Sequence, residues 1–278
     1  MTPAASSGSV AVRGLTVEFP AAKKGRVTAL APIDVALEQG SFTAIVGPSG
    51  CGKTTLLNVV GGFVSPTTGT VLLDGQPIVG PTPEVGIVFQ QYALFPWFSA
   101  MGNVEFALKR FGLPREERRR EAFAFLDEVG LAGRGESFPH QLSGGMKQRV
   151  ALARTFAGKP RVLLMDEPFG ALDAQTRLAM HELLLRVWEH RRTTVLFITH
   201  DVDEALILAD RVHVMSSAPG RIIDTIQVDR ARPRSVDKLD EQFLRARARI
   251  IGLLRKQETE EPPSAPASTP GRRFDDVQ

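Results

Sequence analysis

The chain carries a single cysteine, Cys51, so it can form neither an internal disulfide nor a cysteine-built metal cluster. Long hydrophobic runs are missing too. The longest apolar stretches, such as Val162–Met165 and Val195–Ile198, have strand length and fall well short of the roughly 18 consecutive apolar residues a membrane-spanning helix requires. The opening residues, Met1 to Val10, are small and polar and lack the basic-then-apolar order of a secretory signal. Neither charge sign dominates: 34 Lys and Arg stand against 31 Asp and Glu, a net charge of +3. So mild and scattered a surplus argues against nucleic acid as a partner. The densest basic stretch, Arg115 to Arg120, is interleaved with Glu116 and Glu117, as on a solvated helix face. These shortages point to a cytosolic globular chain whose hydrophobic share, 43%, is ordinary and whose 278 residues suffice for one large domain or two small ones.

Periodicity organises the rest. Val10–Phe19 and Ile33–Glu38 read as strands on either side of a polar turn region. Phe42–Val46 is a short apolar run followed by a Gly-rich loop and then a helical pattern from Lys53 to about Gly61, the unit that makes a phosphate site. Thr70–Leu73 runs into Asp74-Gly75, a hairpin signal, and Val85–Phe89 reads as another buried strand. From Met101 to Ala157 the spacing is helical, with Ala122, Phe125, Leu126 and Val129 on one face of the segment Pro114–Val129. Strand Val162–Met165, a helix over Asp173–Glu189, strand Val195–Thr199 and a helix over Asp201–Ala209 follow, then strand-like runs at Arg211–Met215 and Arg221–Val228. The expectation is an α/β domain over residues 9–231, interrupted by a helical insert over about 92–158. A helical extension over 232–256 and a Pro-, Ser-, Glu- and Thr-rich tail over 257–278, expected to be disordered, complete the chain.

Gly47-Pro48-Ser49-Gly50-Cys51-Gly52-Lys53-Thr54-Thr55 has the P-loop pattern. Its glycines let backbone N–H groups converge on phosphate oxygens, and the following helix aims its positive dipole end at the same anion. ATP and Mg²⁺ are thereby implied, with Lys53 reaching the β- and γ-phosphates and the Thr54 hydroxyl ligating the metal. Cys51, near the helix N-terminus, is expected to lean toward its thiolate. No chemistry here needs a thiol, so it reads as loop filler whose alkylation would block nucleotide sterically. The run Arg161-Val162-Leu163-Leu164-Met165-Asp166-Glu167-Pro168 is an apolar strand that delivers two acids at its end. That fits a Walker B role, with Asp166 holding Mg²⁺ and Glu167 polarising the attacking water.

P-loop proteins are many, and Leu142-Ser143-Gly144-Gly145-Met146-Lys147-Gln148-Arg149 narrows them, since it resembles the signature motif of ABC ATPases. Met146 replaces the glutamine most often seen there. A second anion site at a helix N-terminus, made by Ser143, Gly144 and Gly145, is of little use within its own subunit. The resemblance therefore implies a head-to-tail homodimer with two ATPs at the interface. It further implies a fold of the P-loop NTPase ABC-ATPase kind, α/β, with a parallel sheet, an N-terminal antiparallel β-subdomain and an inserted helical subdomain. In that frame Gln90 is the Q-loop residue, touching Mg²⁺ or the attacking water, and Ala171-Leu172-Asp173 is the D-loop crossing the dimer interface. His200 is the switch histidine at the γ-phosphate, and Phe19 the aromatic that stacks on adenine. His140, His181, His190 and His213 lack such a placement and read as structural. The resemblance spans roughly residues 10 to 230.

The stretches Val88–Trp97, Met165–Arg177 and Ser216–Arg221 are similar to ATP-binding subunits of taurine, alkanesulfonate and nitrate importers, and Thr54–Pro66 and Leu183–Trp188 look nearest the taurine branch. That implies peripheral attachment to the cytoplasmic face of the inner membrane, beneath permease subunits served by an extracytoplasmic solute-binding protein. Leu94–Phe98 lies where a permease helix would dock, although Phe95 and Trp97 equally suit the core of the helical insert. A soluble ABC ATPase of DNA repair or translation would show a coiled-coil insert or two cassettes. An exporter cassette would often be fused to membrane spans, and a P-loop kinase or GTPase has no use for the Leu142–Gln148 motif.

Overall fold

The computed structural model describes residues 8–21, 25–229, 231, 232, 234 and 240–260. Two sheets form its frame. Strands β1 (Val10–Pro20), β2 (Arg26–Leu37), β4 (Thr68–Leu73) and β5 (Gln76–Pro77) make an antiparallel sheet in the order β2-β1-β4-β5. β2 begins at Arg26, earlier than its apolar pattern announces, because residues 26–30 pair along the exposed end of β1, with Phe19 opposite Val27. Pro32 is tolerated within it because it falls in the irregular step of the β1–β2 pairing between Leu30 and Ile33, where no ladder bond is required of it. Asp74 and Gly75 both take positive φ, 48° and 80°, the pattern of a type I′ turn, and close the β4–β5 hairpin.

The larger sheet comprises β3 (Phe42–Val46), β6 (Val85–Val88), β7 (Val162–Asp166), β8 (Thr194–Ile198), β9 (Arg211–Met215) and β10 (Ile222–Gln227), ordered β10-β9-β3-β8-β7-β6. All neighbours are parallel except β9 and β10. Both faces are covered, so its strands are apolar throughout rather than alternating. Ile45, Leu164 and Leu196 face a core shared with the antiparallel sheet and α1 (Lys53–Val60). Phe42, Val46, Leu163 and Phe197 face the opposite core, where Trp188 sits edge-on to Phe42.

Between β6 and β7 run three helices, α2 (Ala100–Leu108), α3 (Arg115–Glu128) and α4 (Gly144–Ala157), packed on one another around Val104, Leu108, Ala122, Leu126 and Val150. The remaining helices are α5 (Ala174–Arg191), α6 (Val202–Leu208) and α7 (Glu241–Glu260). Phe243 and Ile250 of α7 are buried where it meets α6 and β9. α7 runs past Gln257, where the disordered tail was expected to begin. Residues 261–278 of that tail lie outside the described residues.

Candidate nucleotide site

Because β3, β6, β7 and β8 are parallel, their carboxyl ends lie along one edge of the sheet, the place where open α/β sheets bind ligands. From those four ends extend the P-loop, Gln90, Asp166 with Glu167, and His200.

The P-loop leaves β3 with Gly50 and Gly52 at φ 77° and 96°, a left-handed backbone that side chains disfavour. α1 begins at Lys53 with no side-chain cap and no acid in its first turn. By contrast α2, α4, α5 and α6 are capped by Ser99, Ser143, Asp173 and Asp201. The orphan N–H groups and positive dipole end of α1 are thus left for an anion. Ser49, Gly50 and Thr54 are exposed at this mouth, and Pro48 and Thr55 are half-buried. Lys53 is buried, and its Nζ donates to the carbonyls of Gly47 and Pro48 at 2.9 and 2.8 Å.

Cys51 departs from its expectation. Its side chain points away from the mouth into the core, where a Cβ on Gly47 would meet its Sγ at 2.8 Å. Burial raises its pKa, outweighing the nearby Lys53 charge, so it is held as a thiol and not as a thiolate. With no exposed surface, it also offers an alkylating reagent no access.

Thr54 Oγ1 donates to Asp166 Oδ1 at 3.2 Å. Burial pushes the Asp166 carboxyl up from its ordinary range, and the neighbouring Glu167 charge adds to this; the Thr54 hydrogen bond and Lys53 pull the other way. A hydroxyl and a carboxylate converging beside an anion mouth are hard oxygen donors of the kind Mg²⁺ takes, alongside phosphate and water. Among the described residues there is no cluster of three or more His, Cys, Asp and Glu that could hold a metal without such help.

Glu167 adopts φ 43°, rare for a residue with a side chain, and its N–H donates to Ile198 O at 2.9 Å. That kink turns the Glu167 carboxylate off the strand end, where Oε2 lies 3.0 Å from His200 Nδ1. The Gln90 amide faces the same spot: a Cβ on Gly170 would lie 3.7 Å from Gln90 Nε2 and 3.8 Å from Glu167 Oε2. The structure therefore gathers Lys53, Thr54, Gln90, Asp166, Glu167 and His200 around one sheet edge. Phe19 exposes its ring on the β1–β2 hairpin beside Val27. Behind it, Leu30 and Ala29 of β2 crowd the back of Gly52.

Ser143 and Asp173 sit apart from this cluster, each capping its own helix. Ser143 Oγ accepts from Met146 N–H at 3.3 Å and Asp173 Oδ1 from Thr176 N–H at 3.0 Å. That backbone hydrogen bond holds the exposed Asp173 carboxyl below the usual range. A Cβ on Gly144 would approach the Tyr92 hydroxyl to 2.9 Å, and one on Gly145 would meet the Thr176 methyl at 2.7 Å, so a larger residue at either place displaces that side chain. The four other histidines lie off the mouth. His213 hydrogen-bonds Thr225, His190 a carbonyl of its own helix, His140 stacks on Phe138, and His181 pairs with Glu204. Sequence reading passed over the residues that buttress the site, Tyr92, Arg177, Thr199 and Glu204. For Thr199 and Glu204 the signal available was a polar stretch broken only by Val202, Thr199 to Glu204, directly after an apolar strand.

Comparison with known proteins agrees with this geometry. A family profile described as ABC transporter matches residues 30–170. The nitrate import ATP-binding protein NrtD of Synechocystis sp. is 48% identical over 246 residues, covering 86% of this chain and 92% of its own. The taurine import ATP-binding protein TauB of Yersinia pestis is 43% identical over 252 residues, covering 88% and 97%. A dimeric structure of the ATP-binding cassette MJ0796, in a post-hydrolysis state with ADP and Pi, superposes with a TM-score of 0.70 at 31% identity, covering 80% of this chain and all of that one. An α/β frame with an uncapped phosphate loop, an acid pair, a histidine and a glutamine at one sheet edge is what such a cassette needs, and the chain belongs to the ABC transporter family as one of its ATPases.

Proposed function

We propose that this ATPase is the energising subunit of an importer for a small anionic or zwitterionic solute, attached peripherally to the cytoplasmic face of the membrane. The observation that carries this reading is the near end-to-end likeness to both nitrate and taurine import subunits. The taurine branch is not singled out, since the nitrate relative is at least as similar. No helix among the described residues is long and apolar enough to cross a membrane. In this reading the solute path belongs to separate permease subunits, as in the import systems for which the relatives are named, fed by an extracytoplasmic solute-binding protein.

The geometry supports the following catalytic assignments. The α1 N-terminus and the Gly47–Thr55 loop hold the ATP phosphates, Lys53 exchanging its carbonyl partners for phosphate oxygens. Thr54 and Asp166, aided by Gln90, would hold Mg²⁺, which when bound would neutralise negative charge on the phosphates. Glu167 accepts the proton of the attacking water, and His200, already hydrogen-bonded to it, orients that carboxylate toward the γ-phosphate. Phe19 supplies the apolar face for adenine. Ser143, Gly144 and Gly145 act on the ATP of a second copy of the chain, with Asp173 at the shared interface, so that two ATPs close a homodimer. ATP drives closure by binding the closed state better than the open one.

A groove of about 500 Å³ beside Gln90, lined by Ile87, Phe89, Phe95, Phe106, Arg110 and Arg154, suits a permease helix. Its rim is rigid: Asn103, fully buried, binds the backbone of Phe95, Phe98 and Ser99 through its amide. Phe95 belongs to an aromatic cluster with Trp97, Phe98 and Phe106, whereas Trp97 is 67% exposed and free to meet a partner. The test is growth of a strain lacking this gene on nitrate, taurine or an alkanesulfonate as sole nitrogen or sulfur source. Loss of growth on one of them, restored by the intact gene but not by Lys53→Ala, is the expected result. Unchanged growth on all three would move the substrate to another class.

A further inference from the structure

Helix α5 carries Arg177 and His181 one turn apart, on one face, and both reach toward the turn that bears His200. Arg177 Nη1 lies 3.5 Å from Asp201 Oδ2, and its Nη2 donates to the carbonyl of Leu172 at 3.0 Å. Behind it, where both residues are buried, His181 Nε2 stands 2.7 Å from Glu204 Oε1. The second Glu204 oxygen accepts from the Thr199 hydroxyl, and Thr199 Oγ1 in turn accepts from Asp201 N–H at 3.0 Å. The His181 ring also packs on Phe169, centroid to centroid 5.4 Å.

His200 is the residue between Thr199 and Asp201, so this chain grips it from both sides. Its other end rests on Phe169 and Leu172, the stretch that leads from Glu167 to Asp173. A buried carboxylate and imidazole are expensive where apolar residues would pack as well, and His181 Nδ1 finds no partner among the described residues. Core filling alone does not account for that choice.

We infer that His181, Glu204 and Thr199, with Arg177 outside them, form a brace whose task is to position His200 against Glu167 and to tie that position to the 169–173 segment. These are positioning residues, since none of them faces the nucleotide mouth. The inference rests on the role assigned to His200 above. When a second copy presses on Asp173, the brace carries that displacement to the switch turn, so that the His200–Glu167 pair already made in one chain moves as a unit with the closing pair.

The test is Mg-ATP turnover by the purified full chain, with kcat and KM resolved and the melting midpoint of each variant recorded. Thr199→Val keeps shape but loses the hydroxyl, and Thr199→Ser keeps the hydroxyl. Likewise Glu204→Met loses both acceptors, whereas Glu204→Gln still accepts from Thr199 and can donate to the other His181 tautomer. Thr199→Val and Glu204→Met are expected to lower kcat by about tenfold or more, as small misplacements near a reacting centre do, with KM unchanged. Thr199→Ser and Glu204→Gln should stay near the parent. In a His200→Ala background Thr199→Val should cost nothing further, because both changes act through one group. Equal losses in Thr199→Val and Thr199→Ser, a KM that rises in step with the loss, or additivity with His200→Ala would overturn the brace. Should Glu204→Met fail to fold, the Thr199 pair decides alone. Parent-level turnover in His200→Ala by itself would overturn the premise, a result distinct from any failure of the brace.

Discussion

The base proposed at Glu167 could not act on water beside a phosphate if it lay along its strand, and the left-handed backbone of this residue turns it off that line. Glu167→Gln keeps the shape and removes the proposed base. Steady ATP turnover is expected to fall about 100-fold or more, while nucleotide affinity holds, and unchanged turnover would reassign the base. A second residue-scale consequence concerns acid. His213 is buried beside Thr225, and burial, with help from the Arg211 charge, lowers its pKa to about 4. A histidine whose folded pKa lies below its unfolded value of 6.5 contributes its full stability above that value and loses it as pH falls toward 4. The acid-side loss amounts to about 3 kcal/mol by pH 4. Urea titrations of the parent and of His213→Gln between pH 7 and pH 4 should show the parent falling more steeply. Parallel curves would mean the imidazole stays solvated.

Among the elements, two glycines of like backbone, one in a turn and one on a strand, differ in what surrounds them. Gly75, at φ 80° in the β4–β5 turn, has nothing within 4 Å of where a Cβ would go, so Gly75→Ala costs only the left-handed backbone, about 1 kcal/mol. Gly69, at φ 81° on β4, would set a Cβ 2.4 Å from the carbonyls of Arg13 and Gly14. Gly69→Ala forces β1 and β4 apart and should cost about 3 kcal/mol or more, read as the difference in urea midpoints. These elements also mark what a sequence can disclose. The P-loop, the acid-ending β7 and the Asp74-Gly75 hairpin were legible because each is a local pattern with a local physical cause. The start of β2 was not, because ladder pairing with β1 extends it where burial gives no sign. Cys51 was misjudged for a related reason. Its place in the chain is at a helix N-terminus, but its direction is into the core, and direction is set by packing against Gly47 and Met215. The Thr199–Glu204–His181 chain joins residues of two different helices, so it exists only once α5 and α6 are docked.

At the scale of the whole molecule, one chain holds a complete phosphate mouth, yet Ser143 and Asp173 stand apart from it with their side chains turned to their own helices. In the proposed homodimer a second copy supplies what one lacks. With ATP and Mg²⁺, Glu167→Gln should therefore move in light scattering from the mass of one chain to that of two, while Lys53→Ala stays single under the same conditions. A persistent monomer for Glu167→Gln would argue that the signature helix has some other partner. The helical insert has its own lesson. It leaves after Val88 and returns at Val162, and β6 and β7 are direct parallel neighbours, with α4 lying close enough to β6 that a Cβ on Gly86 would strike Thr155 at 2.8 Å. Topologically, then, everything between those strands is one enlarged βαβ crossover in which α4 is the crossing helix and α2 and α3 are an embroidered lead-in. The sheet order is indifferent to how that lead-in is threaded. New chain termini opened at exposed Gly112, between α2 and α3, separate no pair of hydrogen-bonded strands, so a circular permutant cut there retains every neighbour in the sheet.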